Sequence, residues 1–135
     1  MNKLQGVIVQ IQKAGAIMLV DINVDGQIFS ALLVESAGQS DWLIKNKAIN
    51  IVFKETEVSL AKNLSGLISS ENRMICKVLK VEEGVILSTI KLQFKAHLIT
   101  SAITTRSADS LHIKDGDKIE ALVNSNEISL LKINI

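Results

Sequence analysis

At 135 residues, 47% of them apolar and only 3% aromatic, the chain suits one domain or two very small ones sharing a core. Fifteen basic and fourteen acidic residues leave a net charge of +1, without the basic excess of a nucleic-acid module or the stacking aromatics of a single-strand binder. No stretch approaches the roughly 18 apolar residues of a membrane span, Met1–Gly6 lacks the zones of a signal peptide, and a lone Cys76 excludes an internal disulfide; a reducing cytoplasm is the expected address, with no membrane partner.

Val, Ile and Leu dominate and proline is absent, so the chain favours uninterrupted sheet ladders. Gly6–Gln12 predicts a first strand and Lys13-Ala14-Gly15 a turn. Ala16–Val24 alternates with period two, placing Met18, Val20, Ile22 and Val24 on one face. Asp25-Gly26 signals a type I′ hairpin, because both central residues of that turn need positive φ. Gln27–Val34 returns as a strand. Ser36–Lys45 predicts a short helix or turn with Ser36 as its N-cap, and Lys47–Lys54 with Val58–Lys62 predicts a closing hairpin.

The same order then recurs. Lys77–Val81 predicts a strand, Glu82-Glu83-Gly84 a turn, and Ser88, Ile90, Leu92 and Phe94 one face of the next strand. His97–Thr104 returns, Ser107–Lys114 predicts the second short helix with Ser107 as cap, and Lys118–Val123 with Ile128–Ile133 closes the unit. Glu57-Val58-Ser59-Leu60-Ala61-Lys62 matches Glu127-Ile128-Ser129-Leu130-Leu131-Lys132 at an offset of 70, as do Asn2 with Asn72, Ile8 with Val78 and Ile49 with Ile119. One extra residue in the middle aligns Ser30-Ala31-Leu32 with Ser101-Ala102-Ile103, and Ser36-Ala37 with Ser107-Ala108. The reading is one unit used twice, residues 1–64 and 65–135. Five short strands per unit predict an all-β protein of two tandem OB-like small barrels, each with a short helix. So small a unit buries little surface alone, so a homo-oligomer is expected.

Ser69-Ser70-Glu71-Asn72 followed by Cys76 resembles the Ser-Ala-Arg-Asn-x-x-x-Gly opening of the Mop (TOBE) domains. Ala102-Ile103-Thr104-Thr105-Arg106-Ser107 resembles their Ala-Ile-Thr-x-x-Ser element. Leu111-His112-Ile113-Lys114-Asp115-Gly116-Asp117 resembles the Leu-x-Leu-Lys-x-Gly-Asp turn, and Ala121-Leu122-Val123-Asn124-Ser125 the closing Ala-Leu-Val-Lys-Ser/Ala segment. The resemblance implies a tandem Mop protein similar to stand-alone molybdate-storage proteins and to the effector domain of the molybdate-responsive regulator. It implies molybdate or tungstate bound in small cavities between repeats or across subunit interfaces, a trimer as the favoured assembly, and a role in molybdenum or tungsten homeostasis, storage or sensing.

The chemistry agrees. A dianion is held well by amides and hydroxyls, aided by one cation. At motif-matched positions the candidate oxyanion-binding residues are Ser69, Ser70, Asn72, Thr104, Ser107 and Ser125, with Lys54 as the cation and Ser36 as the first-copy match of Ser107. Several positions depart from the family: Glu71 stands where it has arginine, Leu33 where the second copy has Thr104, Asn124 where it has lysine, and Glu55 opposite Ser125. A carboxylate about 4 Å from an anion costs about 4 kcal/mol at an effective dielectric near 20. Fewer working sites than the full set are therefore expected, the best combining second-copy hydroxyls with Lys54. His97 and His112 lack companions with metal-ligand spacing. With no nucleophile–base spacing and no phosphate-cradling loop, an enzyme is not expected. The competing reading is a ligand-free assembly module that docks on a transporter or regulator.

Overall fold

The computed structural model describes residues 1–34 and 41–133. Ten strands dominate: β1 (Asn2–Ala14), β2 (Ile17–Val24), β3 (Gln27–Val34), β4 (Ala48–Phe53), β5 (Ser59–Ala61), β6 (Asn72–Glu82), β7 (Leu87–Phe94), β8 (His97–Thr104), β9 (Lys118–Val123) and β10 (Ser129–Lys132). One helix, α1 (Thr105–Ser110), follows β8, and 3-10 turns at Glu55–Glu57 and Ser125–Glu127 follow β4 and β9. The strands form two five-stranded sheets, β10-β4-β1-β2-β3 and β5-β9-β6-β7-β8.

The alternation read from sequence is the alternation of burial. Met18, Val20, Ile22 and Val24 of β2 and Ser88, Ile90, Leu92 and Phe94 of β7 all point inward. Asp25 and Gly26 take φ of +49° and +89°, as a type I′ turn requires, and set the β2–β3 register from Val24↔Gln27 onward. In both sheets the register of the first long strand slips at the same place, between Ile8 and Gln10 and between Val78 and Lys80. Such bulges bend a strand and increase its twist, which suits a small barrel.

The closing hairpins do not form. β5 pairs with β9 of the second sheet (Ser59↔Leu122), and β10 pairs with β4 of the first (Ser129↔Val52), so the two repeats exchange their last strands. The cause is local. After β4 the chain turns through Glu57 N–H to Lys54 O and Val58 N–H to Glu55 O, and the second repeat does the same through Glu127 and Ile128. Those turns carry each last strand to the neighbouring sheet. Because β5 and β10 have nearly the same sequence, either completes either sheet; period-two patterning fixes a strand's faces and leaves its partner open.

The extra residue expected in the middle of the repeat is also absent. Val24↔Gln27 and Phe94↔His97 pair alike, so the offset of 70 runs on through β3 and β8. Thr100, not Ser101, therefore matches Ser30, and Val34, not Leu33, stands at the place of Thr104. Small, similar residues (Ser-Ala-Leu, Ser-Ala-Ile) made the shifted alignment look good. The short helix of the second unit starts earlier than expected, with Thr104 as its N-cap and Ser107 inside its first turn, because Thr104 Oγ1 accepts the Ser107 N–H at 3.1 Å. The matching segment of the first unit, with Ser36, lies outside the described residues apart from its end, where Trp42 and Leu43 pack on the core.

One apolar core serves both sheets, from Leu4, Ile8 and Phe29 to Met74, Phe94 and Ile128. At its centre Phe29 and Phe94 meet edge to face with centroids 5.9 Å apart. Polar groups enter this interior only with partners, and among the described residues no buried side-chain polar atom lacks one.

Candidate functional site

Where β8 ends, Thr104 caps α1 and also donates from Oγ1 to Ser107 Oγ at 2.8 Å, leaving the Ser107 hydroxyl proton free to point outward. The helix is locked from behind. Thr105 N–H donates to Ile86 O at 2.7 Å, and Thr105 Oγ1 donates to Gly84 O at 2.8 Å and meets Ser88 Oγ at the same distance. Locked this way, α1 presents Arg106, Ser107 and Ser110 across from β5. Together with Ser59, Leu60, Ile103 and Leu111 they line a hollow of about 460 Å³. Among the described residues its polar equipment is three hydroxyls and one guanidinium, with no carboxylate. Such a wall offers charge-assisted donors to an anion and nothing that repels one.

The structure thus brings Thr104 and Ser107 together and adds Arg106, Ser110 and Ser59, which sequence reasoning did not select. Arg106 stands at an unspecified position of the Ala-Ile-Thr-x-x-Ser element, and a lone arginine among hydroxyls was the available signal. Ser59 could not be found, since only the strand exchange places it there.

The other candidates lie elsewhere. Ser125 opens a 3-10 turn packed against β3 of the first sheet. Ser70 Oγ makes a long contact of 3.5 Å with Val123 O, and Ser69 and Glu71 are exposed. Asn72 is fully buried, and its amide hydrogens go to Ser30 O and Val123 O, both at 3.0 Å. No donor remains for an ion.

Lys54 lines a second hollow, of about 220 Å³, with Met1, Val52, Phe53, Glu57, Asn126, Glu127 and Ser129. The two hollows share no lining residue. The company is also wrong for a dianion. Glu57 and Glu127 face each other there, and the Glu127 carboxyl is raised by its hydrogen bond to Glu57, by desolvation and by the Glu57 charge, with Lys54 opposing. Nearby, the Met1 amino group pairs with Glu55 at 2.8 Å and holds that carboxyl low. Among the described residues no three His, Cys, Asp or Glu side chains gather to hold a metal ion; His97 is paired with Asp25.

Two duplicated, strand-exchanged OB-like sheets around one core define a class of small tandem β-barrel. Residues 68–130 match the TOBE domain family. That match spans the second unit, and the first unit repeats its strand order. Among solved structures it is similar to the cytoplasmic molybdate-binding protein ModG with molybdate bound, at 23% identity and a TM-score of 0.92 over 98% of this chain and 96% of that one. At that identity the likeness concerns the fold. A molybdate-binding protein from Sporomusa ovata matches at 31% identity and a TM-score of 0.49, over 50% of this chain and all of that one. Comparison with curated proteins yields no match.

Proposed function

We propose that this protein binds a tetrahedral oxyanion, molybdate or tungstate, as a binding protein of molybdenum or tungsten homeostasis, and that it does so without catalysing a reaction. The observation that carries the proposal is the hollow between α1 and β5, which gathers Ser59, Arg106, Ser107 and Ser110 with no opposing carboxylate. Charge-assisted hydrogen bonds contribute about 1.5–3 kcal/mol each, so a guanidinium and two or three hydroxyls suffice for tight, reversible capture. The bound molybdate of ModG and the TOBE match support this choice of ion. Selectivity against sulfate then rests on the size of the hollow, since the ions share charge and shape.

Ser69, Ser70, Ser125 and Lys54 do not line the hollow at α1, and in this reading a neighbouring copy supplies them to the ion. A homo-oligomer, with a trimer favoured by the resemblance to tandem Mop proteins, supplies that copy. The exposed Val34 of β3 and Leu98 of β8 suit such packing. The repeats 1–64 and 65–135 act as one intertwined body in this scheme, and the cytoplasm, where ModG works, is its setting. No described helix is long and apolar enough to cross a membrane.

Calorimetric titration with molybdate, tungstate and sulfate tests the proposal. Heat with the first two and little with sulfate is expected, and Arg106→Ala abolishes it. Silence with every anion overturns the proposal in favour of an assembly module.

A further inference from the structure

We infer that Lys62 is a positioning residue for the oxyanion hollow, tying the end of the exchanged strand β5 to the C-terminal end of α1 and so fixing the hollow's width. The inference rests on the binding reading above and adds a residue that touches no ion.

Lys62 follows β5 directly. Its ammonium donates to Leu111 O at 3.2 Å, His112 O at 2.9 Å and Asp117 Oδ2 at 3.0 Å. A lysine has three N–H donors, and all three are used. Two of the acceptors are carbonyls left open where α1 stops. Leu111 is the C-cap, and His112 beyond it sits at φ +51°, the left-handed region that favours glycine. A histidine in that conformation carries strain, and a cation on its carbonyl and the one before offsets it. Asp117 completes the anchor, its Oδ2 also accepting the Lys114 N–H at 2.9 Å.

The geometry links this anchor to the hollow. Leu111 is both a wall of the hollow and an acceptor for Lys62, while Ser59 and Leu60, just before Lys62 on the same segment, form the facing wall. Residues 59–62 therefore supply one wall and grip the other. Wall and grip come from the first repeat, α1 from the second. Without the grip, Arg106, Ser107 and Ser110 lose their fixed distance from Ser59, and donors placed for one ion no longer converge.

The test uses the full chain with Lys62→Ala, Lys62→Gln and Lys62→Arg, titrated with molybdate by calorimetry. Alanine is expected to weaken binding about tenfold, the usual scale for a supporting group one step from the ligand. Arginine, which keeps charge and donors, restores most of the affinity. Glutamine, with two donors and no charge, falls between and serves if alanine fails to fold. Amide exchange at Leu111 and His112 reads the grip itself and quickens in the alanine or glutamine variant. Wild-type affinity in the alanine or glutamine variant overturns the inference, as does an arginine variant no better than alanine. If the unaltered chain takes up no molybdate, the binding reading falls, and unchanged amide exchange then overturns the grip separately.

Discussion

Asn72 holds Ser30, 42 positions earlier in the chain, as another strand would. Its Oδ1 accepts the Ser30 N–H at 2.7 Å while its Nδ2 donates to the Ser30 carbonyl at 3.0 Å. Asn2 does the same to Thr100, at 2.8 Å in both directions. Each asparagine opens its own repeat and grips the edge strand of the other, so the pair forms a reciprocal clasp between sheets.

Asn72→Ala leaves the backbone of a buried Ser30 without partners, which costs about 3 kcal/mol in sum. Asn2→Ala, beside the partly exposed Thr100, is expected to cost about half as much. Urea denaturation at fixed protein concentration measures both; a cost near zero for Asn72→Ala would show that the clasp carries no stability.

The Glu57–Glu127 contact predicts an unusual pH response. A carboxyl whose value is raised in the folded chain keeps its proton better folded than unfolded. The stability it contributes therefore grows as pH falls through the raised value, and is lost as pH climbs above it. Glu127→Gln should raise the melting temperature at neutral pH and flatten the response just above the ordinary glutamate value of 4.5. Asp117 and Glu120 act oppositely. Asp117 is held low first by the Lys114 amide and then by Lys62, Glu120 by its hydrogen bond to Arg73. Their stabilisation is present above the ordinary carboxylate range and lost as pH falls through their lowered values. Melting curves across acidic pH for Glu127→Gln and Asp117→Asn separate the two contributions.

Gly6 and Cys76 occupy matching positions in the repeats and predict contrasting behaviour. A Cβ on Gly6 would lie 2.6 Å from Ile22 Cγ2 and 2.7 Å from the Asn23 carbonyl oxygen, so Gly6→Ala should destabilise by about 1–3 kcal/mol through overpacking. At Cys76 burial pushes the thiol up to about 12, so a thiol reagent near neutral pH should react only as fast as the chain opens. Labelling rates with and without denaturant check this.

Much of this fold was legible in the sequence, because strand faces follow from period-two burial and Asp25-Gly26 admits one turn. The repeat was legible too, but not its pairing: β5 and β10 read alike, and the preference for the far sheet arises in 3-10 turns whose residues carry no strong signal. That gap hid half the site. Thr104 and Ser107 could be picked from a motif, whereas Ser59 faces them only through strand exchange, and Arg106 looked like filler. Asn72 was chosen by position in a motif; its burial, invisible in sequence, turns the same amide into a clasp. Lys54 was chosen for its charge, and the fold places two glutamates beside it.

Native mass spectrometry of the chain with added molybdate, beside Arg106→Ala, tests the central claim most directly. The account predicts an oligomer carrying whole molybdate increments that vanish in the variant. An unaltered mass for the wild-type chain, or equal uptake by both proteins, would contradict it.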